Sequence, residues 1–200
     1  MHTATFIGLF TATLMGLAGC CGERCGSDEA KTVAGAHDRD AGKVTETCPV
    51  PAALIAVMQP TKGNQVAGSV RFTDVEGGVR VVADISGLTP SGKHAFHLHE
   101  FGDVSAEDGS AAGGHYNPGK HPHGGPEAEH HHAGDLGNLI ADATGNAHYE
   151  IVVKGLSLCC GAVPVIGRSV IIHAKEDDLT SQPAGNAGPR IAQGVIGASK

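Results

Sequence analysis

A surplus of positive charge is missing from this chain: 14 Lys and Arg stand against 21 Asp and Glu, a formal net charge of −7. Phosphate binding draws on a Lys/Arg excess, so the charge argues against nucleic acid as a partner. Tryptophan is absent and aromatic residues make up 4 %. Long apolar runs are also missing; the segment from Phe6 to Ala18 is too short to span a bilayer comfortably. No internal repeat is visible, and beyond residue 52 no amphipathic helical pattern separates the apolar stretches, which argues against alternating helices and strands. Glycine and histidine are abundant, with 30 and 13 copies. Two hundred residues give room for one domain plus a leader.

Residues 1–19 read as a signal peptide, with Phe6 to Ala18 as its apolar core. Leu17-Ala18-Gly19-Cys20 resembles a bacterial lipobox, in which Cys20 is lipidated and becomes the first mature residue. A plainly cleaved leader with an incidental cysteine is the other reading, because Met1-His2-Thr3 carries no Lys or Arg. Residues 20–51 mix Glu23, Arg24, Asp28, Lys31 and Asp38 with Gly, Ala and Thr, and show almost no apolar periodicity. Such a stretch buries too little to offset the entropy of ordering it, and suits a tether. The expectation is an exported, periplasmic or cell-surface lipoprotein that meets the membrane through Cys20 alone.

Within 52–200 the pattern has period two. Val66, Gly68, Val70 and Phe72 alternate with Ala67, Ser69, Arg71 and Thr73. Val79, Val81, Ala83 and Ile85 repeat the pattern, as do Ala147, Tyr149, Ile151 and Val153. Each is a strand with one buried face. Turn signals at Lys62-Gly63-Asn64, Glu76-Gly77-Gly78, Pro90-Ser91-Gly92 and Thr144-Gly145-Asn146 lie between strands. Short strands at hairpin spacing predict an all-β domain, an antiparallel sandwich or barrel.

Three signals carry chemistry. His97 and His99 are two apart on a strand, so both project from one face and can meet one ion. A Gly-rich loop from Gly102 to Gly134 holds His115, His121, His123, His130, His131 and His132, and Asp135 follows it. Imidazoles with one carboxylate can complete a zinc site, but a loosely scavenging His-rich tract fits equally well. His173 closes the apolar strand Val170-Ile171-Ile172.

Taken together, the motifs resemble the copper/zinc superoxide dismutases, from roughly Ala53 to Gly197. The resemblance rests on His97-Leu98-His99-Glu100-Phe101-Gly102-Asp103, His115-Tyr116-Asn117-Pro118, His123-Gly124-Gly125-Pro126 and Gly134-Asp135-Leu136-Gly137-Asn138. Gly167-Arg168, His173, Asp177-Asp178-Leu179, Gly185-Asn186-Ala187-Gly188, Arg190 and Gly194-Val195-Ile196-Gly197 extend it. It implies an eight-stranded Greek-key β-barrel with long metal-binding and active-site loops. It further implies an enzyme converting superoxide to oxygen and hydrogen peroxide with copper and zinc as cofactors.

By resemblance, His97, His99, His115 and His173 hold copper, and His115, His123, His132 and Asp135 hold zinc, so His115 bridges the two. The family's spacing selects His123 over His121, and His132 over His130 and His131. Asp177 resembles the carboxylate joining a copper ligand to a zinc ligand, and His94 a structural histidine. Arg190 is expected to attract the anion, and His115 to carry a proton to the product. The rival reading is a non-catalytic copper/zinc-binding or metal-buffering surface lipoprotein.

The chain departs from the family at three places. Its intrasubunit disulfide positions are Gly109 and Gln193, which leaves loop rigidity, Arg190 placement and a possible homodimer open. Cys159-Cys160 is an added pair, making five cysteines with Cys21, Cys25 and Cys48 once Cys20 is lipidated. The segment from Leu179 to Gly185 is short and holds no guiding charge, so a slower or less salt-sensitive enzyme is expected.

Overall fold

A computed structural model describes residues 51–200; the leader, Cys20, the remaining N-terminal cysteines and the tether up to residue 50 lie outside the described residues. Eight strands follow in order: β1 Ala53–Pro60, β2 Ala67–Val75, β3 Gly78–Ser86, β4 Lys93–His99, β5 Asp135–Ile140, β6 Ala147–Val153, β7 Ser169–His173 and β8 Arg190–Ala198. They hydrogen-bond in the order β5-β4-β7-β8-β1-β2-β3-β6, with every pairing antiparallel. The connections β3–β4 and β6–β7 cross between the two halves of the sheet, a Greek-key pattern. The terminal strands β5 and β6 approach each other where Tyr149 Oη donates to Leu136 O, so the sheet curls into a nearly closed barrel.

The alternating strands bury the faces that their sequence indicates. Val70 and Phe72, then Val79, Val81 and Ala83, point inward and are fully buried. The interior is filled by Leu54, Phe72, Phe96, Leu98, Leu136 and Leu139. Phe96 meets the edge of Tyr149 with ring centroids 5.7 Å apart. Each such side chain contributes roughly 1.5–3 kcal/mol of burial, so the barrel can serve as a rigid base for its loops.

Strands β4 and β7 do not alternate: from His94 to His99 and from Ser169 to His173 every residue is buried. Phe96 and Leu98 face the core, while the long β4–β5 loop covers the other face, where His97 and His99 lie. The loop is pinned back by Leu98 N–H to Gly134 O at 2.9 Å and Tyr116 N–H to Leu98 O at 2.8 Å.

Candidate metal centre

Two groups of ligating side chains meet on the outer face of β4. The first is His97, His99, His115 and His173; the second is His115, His123, His132 and Asp135. All are buried, and in each group the ligating atoms lie within 4.8 Å of one another. His97 and His99 come from β4, His173 from the end of β7, and Asp135 from the start of β5. His115, His123 and His132 come from the loop. The structure brings together every ligand residue singled out in the sequence, and keeps His121 and His130 exposed outside.

Ring nitrogens divide cleanly between the site and its supports. His97 Nδ1, His99 Nε2, His115 Nε2 and His173 Nε2 are buried and have no hydrogen-bond partner. The other nitrogens are anchored: His97 Nε2 donates to Asp177 Oδ2 at 2.7 Å, His99 Nδ1 to Gly113 O at 3.0 Å, and His173 Nδ1 to Gly188 O at 3.0 Å. Unpartnered buried nitrogens are costly unless a cation takes their lone pairs, so this group fits a metal with a preference for imidazole. Burial lowers the proton affinity of three rings, His97 to a pKa of about 4, His173 to about 3, and His99 to well below the ordinary value. They are therefore neutral at pH 7, the form a metal binds.

The second group converges on one oxygen. Asp135 Oδ1 lies 2.8 Å from His115 Nδ1, 3.1 Å from His123 Nδ1 and 3.2 Å from His132 Nδ1, and the His115 and His132 Nδ1 atoms are 3.3 Å apart. A tetrahedral zinc with ligands at about 2.0–2.1 Å spaces them roughly 3.3–3.4 Å apart. The group is thus close to zinc-binding geometry already. Asp135 Oδ2 accepts N–H bonds from His132 at 2.8 Å and Gly124 at 3.1 Å. Burial opposes its ionisation, but these donors and the His115 and His123 rings hold it well below the usual carboxylate range.

Asp177 joins the groups, since its Oδ1 accepts from His123 Nε2 at 2.9 Å while Oδ2 takes His97. Burial disfavours a charged His123, yet Asp135 and Asp177 outweigh it and raise the ring to about 9. Asn138 holds Asp177 from both sides, donating to its carbonyl at 2.9 Å and accepting its N–H at 2.8 Å. Gly185, at φ 62, permits this arrangement: a Cβ there would sit 1.8 Å from Asp177 Oδ1.

Gln182 escaped sequence reasoning. Its Nε2 donates to His123 O at 2.9 Å and its Oε1 accepts His123 N–H at 2.8 Å, fixing the backbone of a ligand. A glutamine in a polar loop carries no motif that would have marked it. His94 spans Thr89 N–H at 3.3 Å and the backbone carbonyl of His173 at 2.9 Å, and its own ring belongs to neither group.

Arg190 stands beside the first group. Its Nη2 donates to Gly113 O at 2.6 Å and its Nη1 to Gly109 O, so the loop backbone fixes the guanidinium. Burial lowers its pKa against the opposing charge of Asp108, but a guanidinium stays protonated at neutral pH. Gly109 (φ 78) leaves the room: a Cβ there would touch Arg190 Cδ at 3.2 Å. Gln193 supplies a tie of its own, with Nε2 donating to Ala106 O at 3.1 Å and reaching Val104 O at 3.4 Å. Cys160 is exposed, and its Sγ lies 3.1 Å from Cys159 Sγ.

A Greek-key barrel with two adjoining ligand groups that share one histidine defines a β-barrel of the metal-binding class. Residues 66–196 match the family model described as copper/zinc superoxide dismutase (SODC). A superoxide dismutase [Cu-Zn] from Paramecium bursaria Chlorella virus 1 is 42 % identical over 157 residues, covering 75 % of this chain and 80 % of that one. An extracellular superoxide dismutase [Cu-Zn] from Brugia pahangi is 37 % identical over 172 residues, covering 82 % and 84 %. A solved structure titled as the clock protein EA4 superposes with a TM-score of 0.68 at 38 % identity, covering 76 % of this chain and 97 % of that one. The chain belongs to the copper/zinc superoxide dismutase family. It is a superoxide dismutase, an oxidoreductase with copper and zinc as cofactors.

Proposed function

We propose that His97, His99, His115 and His173 hold the copper, that His115, His123, His132 and Asp135 hold the zinc, and that His115 serves both. The single observation behind this is the division of the His115 ring: Nε2 has no partner and faces the first group, while Nδ1 lies in the second. Copper, when bound, supplies the one-electron chemistry that oxidises one superoxide to oxygen and reduces the next to peroxide. Arg190 draws the anion toward the site and orients it through its remaining N–H groups. His115 Nε2 would bind copper only in its unprotonated form; released from the metal, it would take up a proton from solvent and pass it to the departing peroxide. Asp177 keeps the His97 and His123 rings in the tautomer that turns a lone pair toward each metal.

The test is magnetic. Cobalt(II) placed in the His123 group with copper(II) in the other should quench the copper EPR signal through the shared ring. Two independent signals of full intensity would overturn the shared role of His115.

Export, cleavage after residue 19, lipidation of Cys20 and a tether over 20–51 complete the proposal, with residues 52–200 as the catalytic domain. The lipobox-like Leu17-Ala18-Gly19-Cys20 supports it, and the Brugia relative carries the word extracellular in its name. A mature protein starting at unmodified residue 21 or earlier than 20 would refute the anchor. The partner surface is a second copy of this chain. Val57, Val104 and Val195 are at least 36 % exposed and line one shallow depression on β1 and β8, an apolar patch that a homodimer would cover.

A further inference from the structure

Three of the loop's histidines serve neither metal group. His121 lies two residues before His123, while His130 and His131 directly precede His132. All three are at the surface or half-buried.

Their surroundings show order. Asn117 closes a short turn on His121, donating from Nδ2 to His121 O at 2.8 Å and accepting His121 N–H at 3.0 Å. The His121 ring lies over Gly119, where a Cβ would come within 2.7 Å of it. His130 stacks on His121 with ring centroids 5.3 Å apart and planes 14° from parallel. His131 Nδ1 faces the His132 carbonyl at 2.7 Å. A carbonyl can only accept, so Nδ1 carries the hydrogen and Nε2 is the ring nitrogen left to coordinate. His121, His131 and Glu129 line one cavity of about 240 Å³, with Lys154 on its wall.

We propose that His121, His130 and His131, with Glu129, form a third and peripheral site for a divalent cation of the zinc or copper class. Imidazole nitrogens with one carboxylate oxygen suit these ions and are unsuited to calcium or magnesium, which take oxygen ligands. Glu129 supplies a counter-charge for the cation, and Lys154 opposes it. The ligands are exposed side chains that must give up rotamer freedom to close on an ion. Binding is therefore weaker than in the buried groups, and reversible. The position suits a holding place for metal next to the His132 group: His131 and His132 are neighbours in the chain.

The experiment uses the full chain with one copper and one zinc already counted per molecule, titrated calorimetrically with Zn²⁺ alone. One additional micromolar equivalent is expected in the native protein. In His121→Ala/His130→Ala it should weaken at least tenfold, with the original copper and zinc content unchanged. Lys154→Ala should tighten it, and His148→Ala, an exposed histidine on β6, should leave it alone. No additional equivalent in the native protein, or one undiminished in the double variant, would overturn the proposal. Because the copper and zinc are counted beforehand, this outcome is independent of how they are assigned to the buried groups.

Discussion

Arg190 and His99 donate to the same oxygen: Arg190 Nη2 lies 2.6 Å and His99 Nδ1 3.0 Å from Gly113 O. One loop carbonyl therefore sets both the guanidinium proposed to attract the substrate and a ring of the proposed copper site. Replacing Arg190 with Ala removes the fixed charge without touching a ligand. The catalytic efficiency should fall by about tenfold or more, with copper and zinc content intact. A parallel loss of metal would mean that the loop, rather than the charge, is what Arg190 supports.

The segment that precedes Gly185 bears on salt. Between Leu179 and Gly185 the chain reads Thr180-Ser181-Gln182-Pro183-Ala184, without a charged side chain to extend the attracting field. Steered association weakens with ionic strength in proportion to the charges that steer it. Turnover should therefore decline only slightly as salt rises. A steep decline would show that charges elsewhere guide superoxide.

The Gln193 amide holds the loop at Val104 and Ala106 through hydrogen bonds alone. Each is worth about 0.5–1.5 kcal/mol. Gln193→Ala should destabilise the protein by ~1 kcal/mol and reduce turnover a few-fold by loosening Arg190, which Gln193→Glu, lacking the donor, should reproduce. Thiol reductants should leave the native rate unchanged. A reductant-sensitive rate would point to cysteine chemistry in its place.

Asp177 supports a ring in each metal group, so Asp177→Asn should weaken both metals together, by roughly 10–100-fold. Gly185→Ala should have a similar effect, because its Cβ would displace the Asp177 carboxylate. Metal competition with a chelator reads both variants. Loss of only one metal would contradict the shared support.

The metal-free protein should show a stability optimum in pH. Burial lowers His97 to about 4 and His173 to about 3, so the unfolded chain binds more protons than the folded one below about 6.5. Stability from these rings is present above 6.5 and is lost as pH falls toward 4. His123 is raised to about 9, so its contribution is present below 6.5 and is lost as pH rises through 9. Thermal melting of the metal-free chain should peak near pH 6.5. A flat profile from pH 4 to 9 would refute the protonation states assigned to these rings.

The strands whose one face meets the core, β2, β3 and β6, were legible as alternation. β4 and β7 were not, because the loops bury their outer faces too. Strand spacing placed His97 and His99 on one face, but their assignment as ligands came from family resemblance. The choice of His123 over His121, and of His132 over its two neighbours, came from family resemblance: in a loop without periodicity, adjacent histidines are equivalent until the backbone is placed. The supports of the site were hardest to read. Gln182 and the carbonyls of Gly109, Gly113 and Gly188 act through groups that any sequence contains.

The central claim is one copper and one zinc held by two groups that share His115, with the copper as the seat of turnover. Counting both metals and measuring the superoxide dismutation rate in the native chain and in His99→Ala tests it most directly. The account predicts one of each metal and fast turnover in the native chain; His99→Ala should keep zinc and lose both copper and turnover. Zinc without copper in the native protein, or turnover no faster than that of free copper, would contradict it.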